Sequence, residues 1–160
     1  MRPGLFTSYA GQRSLLDYFR GMFTEEQLAF ANELCKGTLV EHLGITCIPS
    51  PAGTFAATMP VDARTVQPMG LLHGGATAAL AETLGSLGSA LLVDRDRFAV
   101  VGIELNANHI KSVRSGHVTA TGMILHQGRT THVWDIRVNS GSGELVALCR
   151  LTNVVINKQG

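Results

Sequence analysis

The stretch LLHGGATAALAETLGSLGSALLV, Leu71 to Val93, decides how the rest of the chain is organised. Nearly every position is Ala, Gly, Leu, Ser or Thr, and we predict one long helix that begins at His73-Gly74-Gly75 and carries Glu82 in its middle. At about 3.6 residues per turn, the nine steps from His73 to Glu82 amount to about 900° of rotation and about 13.5 Å of rise. The two side chains therefore leave opposite faces, and a second copy of the helix is the natural way to bring both into one site.

The single carboxylate of this helix needs an explanation. Glu82 has no Lys or Arg three or four positions away, where its neighbours are Ala78, Ala79, Gly85 and Ser86. A carboxylate buried without a partner is costly, so either it serves chemistry or it faces solvent. Ser86 lies on the same face and could orient Glu82, although a helix serine often bonds to its own main chain. The glycines after His73 could likewise serve only an entry turn, and both alternatives stay open.

Composition and charge narrow the class of protein. With 160 residues and a formal net charge of +1, the chain fits one domain and has no basic surplus typical of nucleic-acid binding. We predict a domain over residues 24–160, after an N-terminal extension, residues 1–23, that the sequence leaves unassigned. Glu82 interrupts the most apolar run, so we expect no membrane span and no membrane partner. Three scattered cysteines indicate reduced thiols and a cytoplasmic protein: Cys35, Cys47 and Cys149.

Before the long helix, the chain predicts one further helix and one strand. A capping-box pattern at Thr24 begins a helix over residues 25–36, and Gly37 is suited to end it. The run TFAATMPV, residues 54–61, has the composition and alternation of a strand, with which residues 39–48 could pair.

After the long helix, four runs show the two-residue period of strands. They lie at residues 101–108, 118–124, 132–138 and 145–156. In the first run one face is predicted to hold Val101, Ile103, Leu105 and Ala107. Short turns rich in glycine and serine force antiparallel neighbours. The fold class is therefore α+β, a long helix packed on a curved antiparallel sheet of five or six strands.

Two longer runs carry a specific resemblance. VDARTVQPMGLLHGGATAALAETLGS and, downstream, VVGIELNANHIKSVRSGHV are similar to the hotdog-fold acyl-CoA thioesterases. The similarity extends over about residues 24 to 156 and is closest to the branch acting on aromatic acyl-CoA esters, of the 1,4-dihydroxy-2-naphthoyl, hydroxybenzoyl or phenylacetyl type. It implies a hotdog fold, an acyl-CoA substrate hydrolysed to free acid and CoA, and a homodimer that could pair into a tetramer. It implies no cofactor.

The same resemblance implies roles for five residues around the helix. Glu82 would be the catalytic carboxylate, attacking the thioester carbonyl or activating a water. Gly74 would donate its backbone N–H to the carbonyl oxygen, since an N–H at a helix N-terminus is unpaired and lies at the positive end of the helix dipole. Gln67 and His73 would position the thioester or the water, and Ser86 would hold Glu82.

In the resembling family, the strand after the helix faces the nucleotide of CoA. The corresponding segment here carries Asn108, His109, Lys111 and Arg114, and Arg129 follows in a later turn. The cations would suit phosphates, although they could equally be solvated loop charges. The histidines of the chain lack the close spacing of zinc ligands, so we expect no metal.

Three functions are open at this point. The first is thioester hydrolysis. The second is a hotdog hydratase or dehydratase, which also couples a histidine with a helix carboxylate, although Gln67 and the His-Gly-Gly lead-in favour hydrolysis. The third is a non-catalytic acyl-CoA-binding module, which ligand would stabilise without any release of thiol.

Overall fold

The computed structural model describes residues 23–158, and the N-terminal extension up to residue 22 lies outside them. Phe23, which the sequence leaves with the extension, is buried and packs edge-to-face on Phe55, with ring centroids 4.8 Å apart. The packed part of the chain therefore includes at least this residue before the predicted start of the domain.

The part of the chain that the structure describes contains the helices α1 (Glu25–Leu34), α2 (Leu39–His42) and α3 (Gly74–Leu91). The predicted capping box is confirmed, because Thr24 and Gln27 exchange side-chain-to-backbone hydrogen bonds. α1 ends at Leu34, earlier than predicted, and Gly37 lies in the following turn at φ 70°. The first part of the segment predicted to pair as a strand is instead α2, which the Thr38 side chain caps.

The strands are β1 (Thr46–Ile48), β2 (Phe55–Val61), β3 (Phe98–His109), β4 (Gly116–Gln127), β5 (Thr131–Ser140) and β6 (Leu145–Asn157). They form one antiparallel sheet in the order β1-β2-β4-β5-β6-β3. The predicted α+β architecture is confirmed, and so are the four strands predicted after the long helix. The first and last of these four, β3 and β6, are neighbours in the sheet.

Helix α3 packs on one face of the sheet, and its glycines set how closely it approaches. A Cβ on Gly85 would lie 2.5 Å from Leu151 Cδ2, and a Cβ on Gly88 would lie 2.8 Å from the Trp134 ring. Only glycine fits such contacts, which explains two residues that each cost about 1 kcal/mol in helix propensity. The helix and the sheet enclose the fully buried Trp134, Phe55 and Leu84. Like the other helices that the structure describes, α3 is not long and apolar enough to span a membrane.

For the first half of β3, the prediction of which side chains share the apolar face is wrong. The prediction places Val101 and Ile103 on the core face with Leu105, but only Leu105 packs against the core. The register of β3 on β6 shifts between Gly102 and Glu104, so Ile103 is the extra residue of a β-bulge. A slip of one residue exchanges the two faces of a strand. Val101 and Ile103 are therefore 46% and 60% exposed, and Gly102 faces helix α3 instead.

Strand β3 forms one edge of the sheet. It pairs with β6 on one side, and no other strand among residues 23–158 pairs with its second side. Most of its twelve residues are exposed. A long strand with a row of unpaired N–H and C=O groups is a template for pairing with another chain. This edge is therefore the natural place for a second copy to join the sheet.

A buried histidine on β5 should make stability depend on pH. His132 is 2% exposed, and its Nδ1 has no hydrogen-bond partner in the described part of the chain. Burial lowers the pKa of His132, although a hydrogen bond to the Gly128 backbone opposes the shift. In the unfolded chain His132 takes up a proton near pH 6.5, whereas in the folded chain it stays neutral to a lower pH. The free energy of unfolding therefore decreases as the pH drops below about 6.5.

We expect thermal melts between about pH 7 and 5.5 to show this fall, and His132→Gln to reduce its slope. The difference between the two proteins isolates His132, because the other titrating groups are common to both. Equal slopes in the two proteins would contradict the assignment.

Candidate active site

The N-terminus of α3 presents a free backbone donor. His73 is the N-cap residue, and its Nδ1 accepts from the Gly75 N–H at 2.8 Å. The N–H groups of Ala76 and Thr77 donate to the His73 carbonyl. Within residues 23–158 the Gly74 N–H has no acceptor. It therefore lies at the positive end of the helix dipole, available to an oxygen of a bound molecule.

A cavity of about 300 Å³ opens beside this donor. Gly74 lies in its wall together with Gln67, His109 and Lys111. The other lining residues are mostly apolar: Leu71, Leu72, Thr77, Ile110, Ser112 and Val146. The His109 ring lies against Gly74, since a Cβ at Gly74 would come within 2.9 Å of His109 Nε2. Four of the residues singled out in the sequence thus share one cavity.

The turn that leads into α3 holds Gln67 in place. The Gln67 N–H donates to the Leu71 carbonyl at 2.8 Å, and its carbonyl accepts from the Gly70 N–H at 2.8 Å. Gly70 has a φ of 71°, which favours glycine. The side-chain oxygen of Gln67 accepts from the Met69 N–H. Its NH₂ is therefore the group that Gln67 can offer to a molecule in the cavity.

Glu82 lies half-buried on another face of α3. The Ser86 hydroxyl donates to Glu82 Oε1 at 2.8 Å. The carboxylate lies directly on Gly102 of β3, where a Cβ would overlap it. Among the described residues, no Lys, Arg or His lies within salt-bridge distance of Glu82. The β-bulge turns Gly102 towards the helix, which leaves room for the Glu82 carboxylate. The same bulge is the reason that the predicted face of β3 is wrong.

Sequence reasoning missed two residues around Glu82, which are Gly102 and Asn153. Asn153 lies on β6, is fully buried, and has its Oδ1 3.3 Å from Ser86 Oγ. For each of these two residues the sequence contained a feature that could have indicated its role. A glycine inside a strand often marks the close approach of another group, and an asparagine between Leu151 and Val155 on an inward face must find buried partners.

Within one chain, the two groups of predicted catalytic residues stay apart. Gln67 and Gly74 lie at the cavity, and His73 caps the helix beside them. Glu82 does not line that cavity and lies about 12 Å further along the helix, towards the edge strand. The structure thus brings Glu82 and Ser86 together, but it does not bring them to the Gly74 N–H of the same chain.

Two of the predicted phosphate-binding cations lie near the cavity. Lys111 lines it and pairs with Glu144, and this exposed contact lowers the pKa of the Glu144 carboxyl. Arg114 lies close to the turn before α3, with its Nη1 3.5 Å from the Met69 carbonyl. An incoming anion would therefore have to compete with Glu144 for Lys111.

The other predicted nucleotide contacts lie elsewhere in the chain. Asn108 donates to the Asn106 side chain at 2.8 Å and does not line the cavity. Arg129 lies in the turn between β4 and β5, near the beginning of β3, whereas Lys111 follows the end of β3. Arg129 and Lys111 therefore lie at opposite ends of the sheet in one chain.

The three cysteines are free thiols, in agreement with the reduced thiols predicted from the sequence, and all three are buried. Burial raises the pKa of Cys47 to about 12 and the pKa of Cys149 to about 11. Burial also raises the pKa of Cys35. A thiol that stays protonated at neutral pH is a poor nucleophile, so the nucleophilic chemistry of this site does not come from cysteine.

Comparison with known proteins identifies the family of this chain. Residues 69–147 match the Thioesterase superfamily. The proofreading thioesterase EntH of Klebsiella pneumoniae is 48% identical over 132 residues, which cover 82% of this chain and 96% of EntH. The chain belongs to the thioesterase superfamily. It is a thioester hydrolase, and its six-stranded antiparallel sheet with one central helix is the hotdog fold that the resemblance implies.

Solved structures of other members are also similar. Thioesterase PA1618 of Pseudomonas aeruginosa, solved with a glutamine replaced by alanine, has 43% sequence identity and a TM-score of 0.81, covering 88% of this chain and 99% of that one. Protein SAV0944 of Staphylococcus aureus, solved with a glutamate replaced by alanine, has 42% identity and a TM-score of 0.72, covering 75% and 99%. SAV0944 has also been solved with a glutamine replaced by alanine.

Proposed function

We propose that this thioesterase hydrolyses an aromatic acyl-CoA, with Glu82 as base or nucleophile, in a site shared by two copies of the chain. The observation that carries the proposal is the position of Glu82. Its carboxylate has no cationic partner among the described residues, is held by Ser86, and lies against the edge strand of the sheet. A carboxylate in this position is free to act on a molecule bound at the interface with a second chain.

The partner group for Glu82 is the Gly74 N–H of the second copy. It has no acceptor within residues 23–158 and lies in the wall of a cavity. A preorganised N–H directed at a developing oxyanion is among the strongest contributions that a protein makes to acyl transfer. Two chains related by a two-fold axis at β3 would each supply one Glu82 and one Gly74, giving two equivalent sites per dimer.

The interval between glutamine and glutamate supports the same assignment. The glutamine and the glutamate altered in the two SAV0944 structures are fifteen positions apart in that protein. Gln67 and Glu82 are also fifteen positions apart here. We therefore give Gln67 the role of positioning the thioester or the water through its free NH₂, and Ser86 the role of holding Glu82.

Two routes to hydrolysis are open to this arrangement. With Glu82 as base, a water oxygen bonds to the carbonyl carbon while the water proton passes to Glu82, and the C–S bond then breaks to release the CoA thiolate. With Glu82 as nucleophile, its oxygen displaces the thiolate first, and water then hydrolyses the mixed anhydride. A carboxylate is weak in either role, so both routes depend on the Gly74 N–H polarising the carbonyl.

The substrate class is tested by thiol release from a panel of aryl-CoA, aliphatic acyl-CoA and carrier-protein thioesters, followed with a thiol reagent. We expect the highest kcat/KM for aryl-CoA esters, because the cavity near Gly74 is small and has mainly apolar walls. Thermal stabilisation by acyl-CoA without any thiol release would instead indicate a binding module. A preference for carrier-protein thioesters would overturn the CoA assignment.

Replacing Lys111 and Arg114 together by alanine should raise KM for a CoA ester and leave kcat nearly unchanged. The two cations would contact phosphates, which take no part in bond breaking. We expect about a tenfold rise in KM for the CoA ester and little change for a pantetheine ester, which lacks the nucleotide.

Lys36→Ala is the control for this double variant, because Lys36 is exposed, pairs with Glu33 near α1 and does not line the cavity. Equal losses with the CoA and pantetheine esters would show that Lys111 and Arg114 do not contact the nucleotide. The cytoplasmic location predicted from the sequence is kept as part of the proposal.

A further inference from the structure

The buried side chain of Asn153 makes hydrogen-bond contacts with several residues of α3. It is 0% exposed. Its Nδ2 donates to the Gly85 carbonyl and to Ser89 Oγ, each at 3.0 Å. Its Oδ1 lies 3.3 Å from Ser86 Oγ. A single side chain of β6 therefore contacts three small residues, Gly85, Ser86 and Ser89, on the helix that carries Glu82.

These contacts determine which way the amide of Asn153 points. The Trp134 Nε1–H, which can only donate, bonds to Ser89 Oγ at 2.8 Å, so Ser89 accepts there. The Gly85 carbonyl can only accept. The NH₂ of Asn153 must therefore face Gly85 and Ser89, and its carbonyl oxygen must face Ser86.

The orientation gives the Ser86 hydroxyl a choice of acceptor. A hydroxyl has one proton, and two acceptors lie near it: Glu82 Oε1 at 2.8 Å and Asn153 Oδ1 at 3.3 Å. While Glu82 is ionised, the charge-assisted bond to Glu82 is the stronger of the two. Once Glu82 has taken a proton from water, its own O–H needs an acceptor. Ser86 Oγ can accept it if the serine proton turns to Asn153.

We propose that Asn153 is a positioning residue for catalysis, which lets Ser86 change from donor to acceptor when Glu82 takes up a proton. The inference rests on the proposed role of Glu82 and extends it. As the water oxygen bonds to the thioester carbon, one water O–H bond breaks and a Glu82 O–H bond forms, whereas at Ser86 and Asn153 only hydrogen bonds change. The water proton moves to Glu82, the Glu82 hydroxyl donates to Ser86, and the Ser86 hydroxyl donates to Asn153 Oδ1. The reverse exchange follows when Glu82 gives its proton to the departing thiolate.

The test replaces Asn153 in two ways that alter packing in opposite directions. Asn153→Leu keeps the branched shape and fills the space, whereas Asn153→Ala leaves a cavity. An effect common to both variants comes from the lost amide, whose NH₂ faces Gly85 and Ser89 and whose oxygen faces Ser86, and the Ser86 background described next isolates the part due to the oxygen. We expect each to lower kcat by about tenfold, the value of one hydrogen bond, with KM nearly unchanged.

A double-mutant cycle separates this role from a merely structural one. In a Ser86→Ala background the same changes at Asn153 should lower kcat by less than about twofold, because the group through which Asn153 acts is gone. Losses that multiply in full would overturn the proposal, and so would a wild-type kcat in both Asn153 variants. Cys149→Ala is the packing control, since Cys149 is buried on the same face of β6 and has no bond to Ser86.

Two further measurements keep the outcome clear. Trp134 is the single tryptophan of the chain and belongs to the same hydrogen-bonded group, so its fluorescence reports whether each variant retains the buried core. Glu82→Gln is assayed in parallel. If Glu82→Gln is inactive and the Asn153 variants show no coupling to Ser86, only this inference fails. If Glu82→Gln retains turnover, the proposed function fails and takes this inference with it.

Discussion

Glu82→Ala should lower kcat by at least about 100-fold, the lower end of what a positioned acid or base contributes. Glu82 is the carboxylate of α3, and its Ser86 contact orients it against the edge strand. If the group reacts only in the transition state, kcat and kcat/KM should fall together while substrate still binds. Steady-state thiol release with an aryl-CoA ester measures both.

The same variant should keep its fold and its melting temperature. Alanine is the best helix former, and removing the side chain also removes a half-buried carboxylate that has no cationic partner among the described residues. Glu26→Ala is the matched control, because Glu26 is an exposed glutamate in the first turn of α1, remote from the cavity. Near-normal turnover in Glu82→Ala would end the catalytic assignment.

The parts of the fold that could be predicted from the sequence are those that depend on local pattern. The small residues of α3, the capping box at Thr24 and the alternation of the four later strands each depend on neighbours in the chain. The face of Val101 could not be predicted, because it depends on one extra residue in β3 relative to its partner β6. A bulge is a property of two strands, and the β3 sequence alone does not show it.

In the candidate site, too, contacts between residues close in the sequence could be predicted, whereas contacts between distant residues could not. The hydrogen bond from Ser86 to Glu82 joins residues four positions apart on one helix, and this spacing can be seen in the sequence. The contact of Asn153 with Ser86 joins residues 67 positions apart, and it depends on which strand lies under the helix. Arg129 is the reverse case. It follows Lys111 closely in the sequence, but the sheet places the two residues at opposite ends.

The position of Gly74 allows its N–H to be removed with little other change. Gly74 is the first residue of α3, where proline is favoured, and His73 before it has φ −73° and ψ 132°, which a following proline accepts. Gly74→Pro should therefore fold and lose about 100-fold or more in kcat, as expected for the loss of an oxyanion donor. Gly74→Ala keeps the N–H and introduces the same crowding against His109, so it is the matched control.

Mixing two inactive variants should restore activity if the site is shared. Gly74→Pro, or the milder His73→Ala, is refolded together with Glu82→Gln. Each heterodimer then has one site with both changes and one site with neither. Random pairing makes about half of the dimers heterodimers, so activity should recover to about a quarter of wild type, provided that the two sites act independently.

The recovery has a geometric reason. Gly74 and Glu82 of one chain are separated by about 12 Å of helix, and the cavity beside Gly74 does not include Glu82. The free edge of β3, on which Glu82 lies, is where a second sheet can pair and bring its own Gly74 close. Native mass spectrometry of the mixture confirms that heterodimers have formed. If they are present and the mixture remains as inactive as its two parents, Gly74 and Glu82 do not act across two chains.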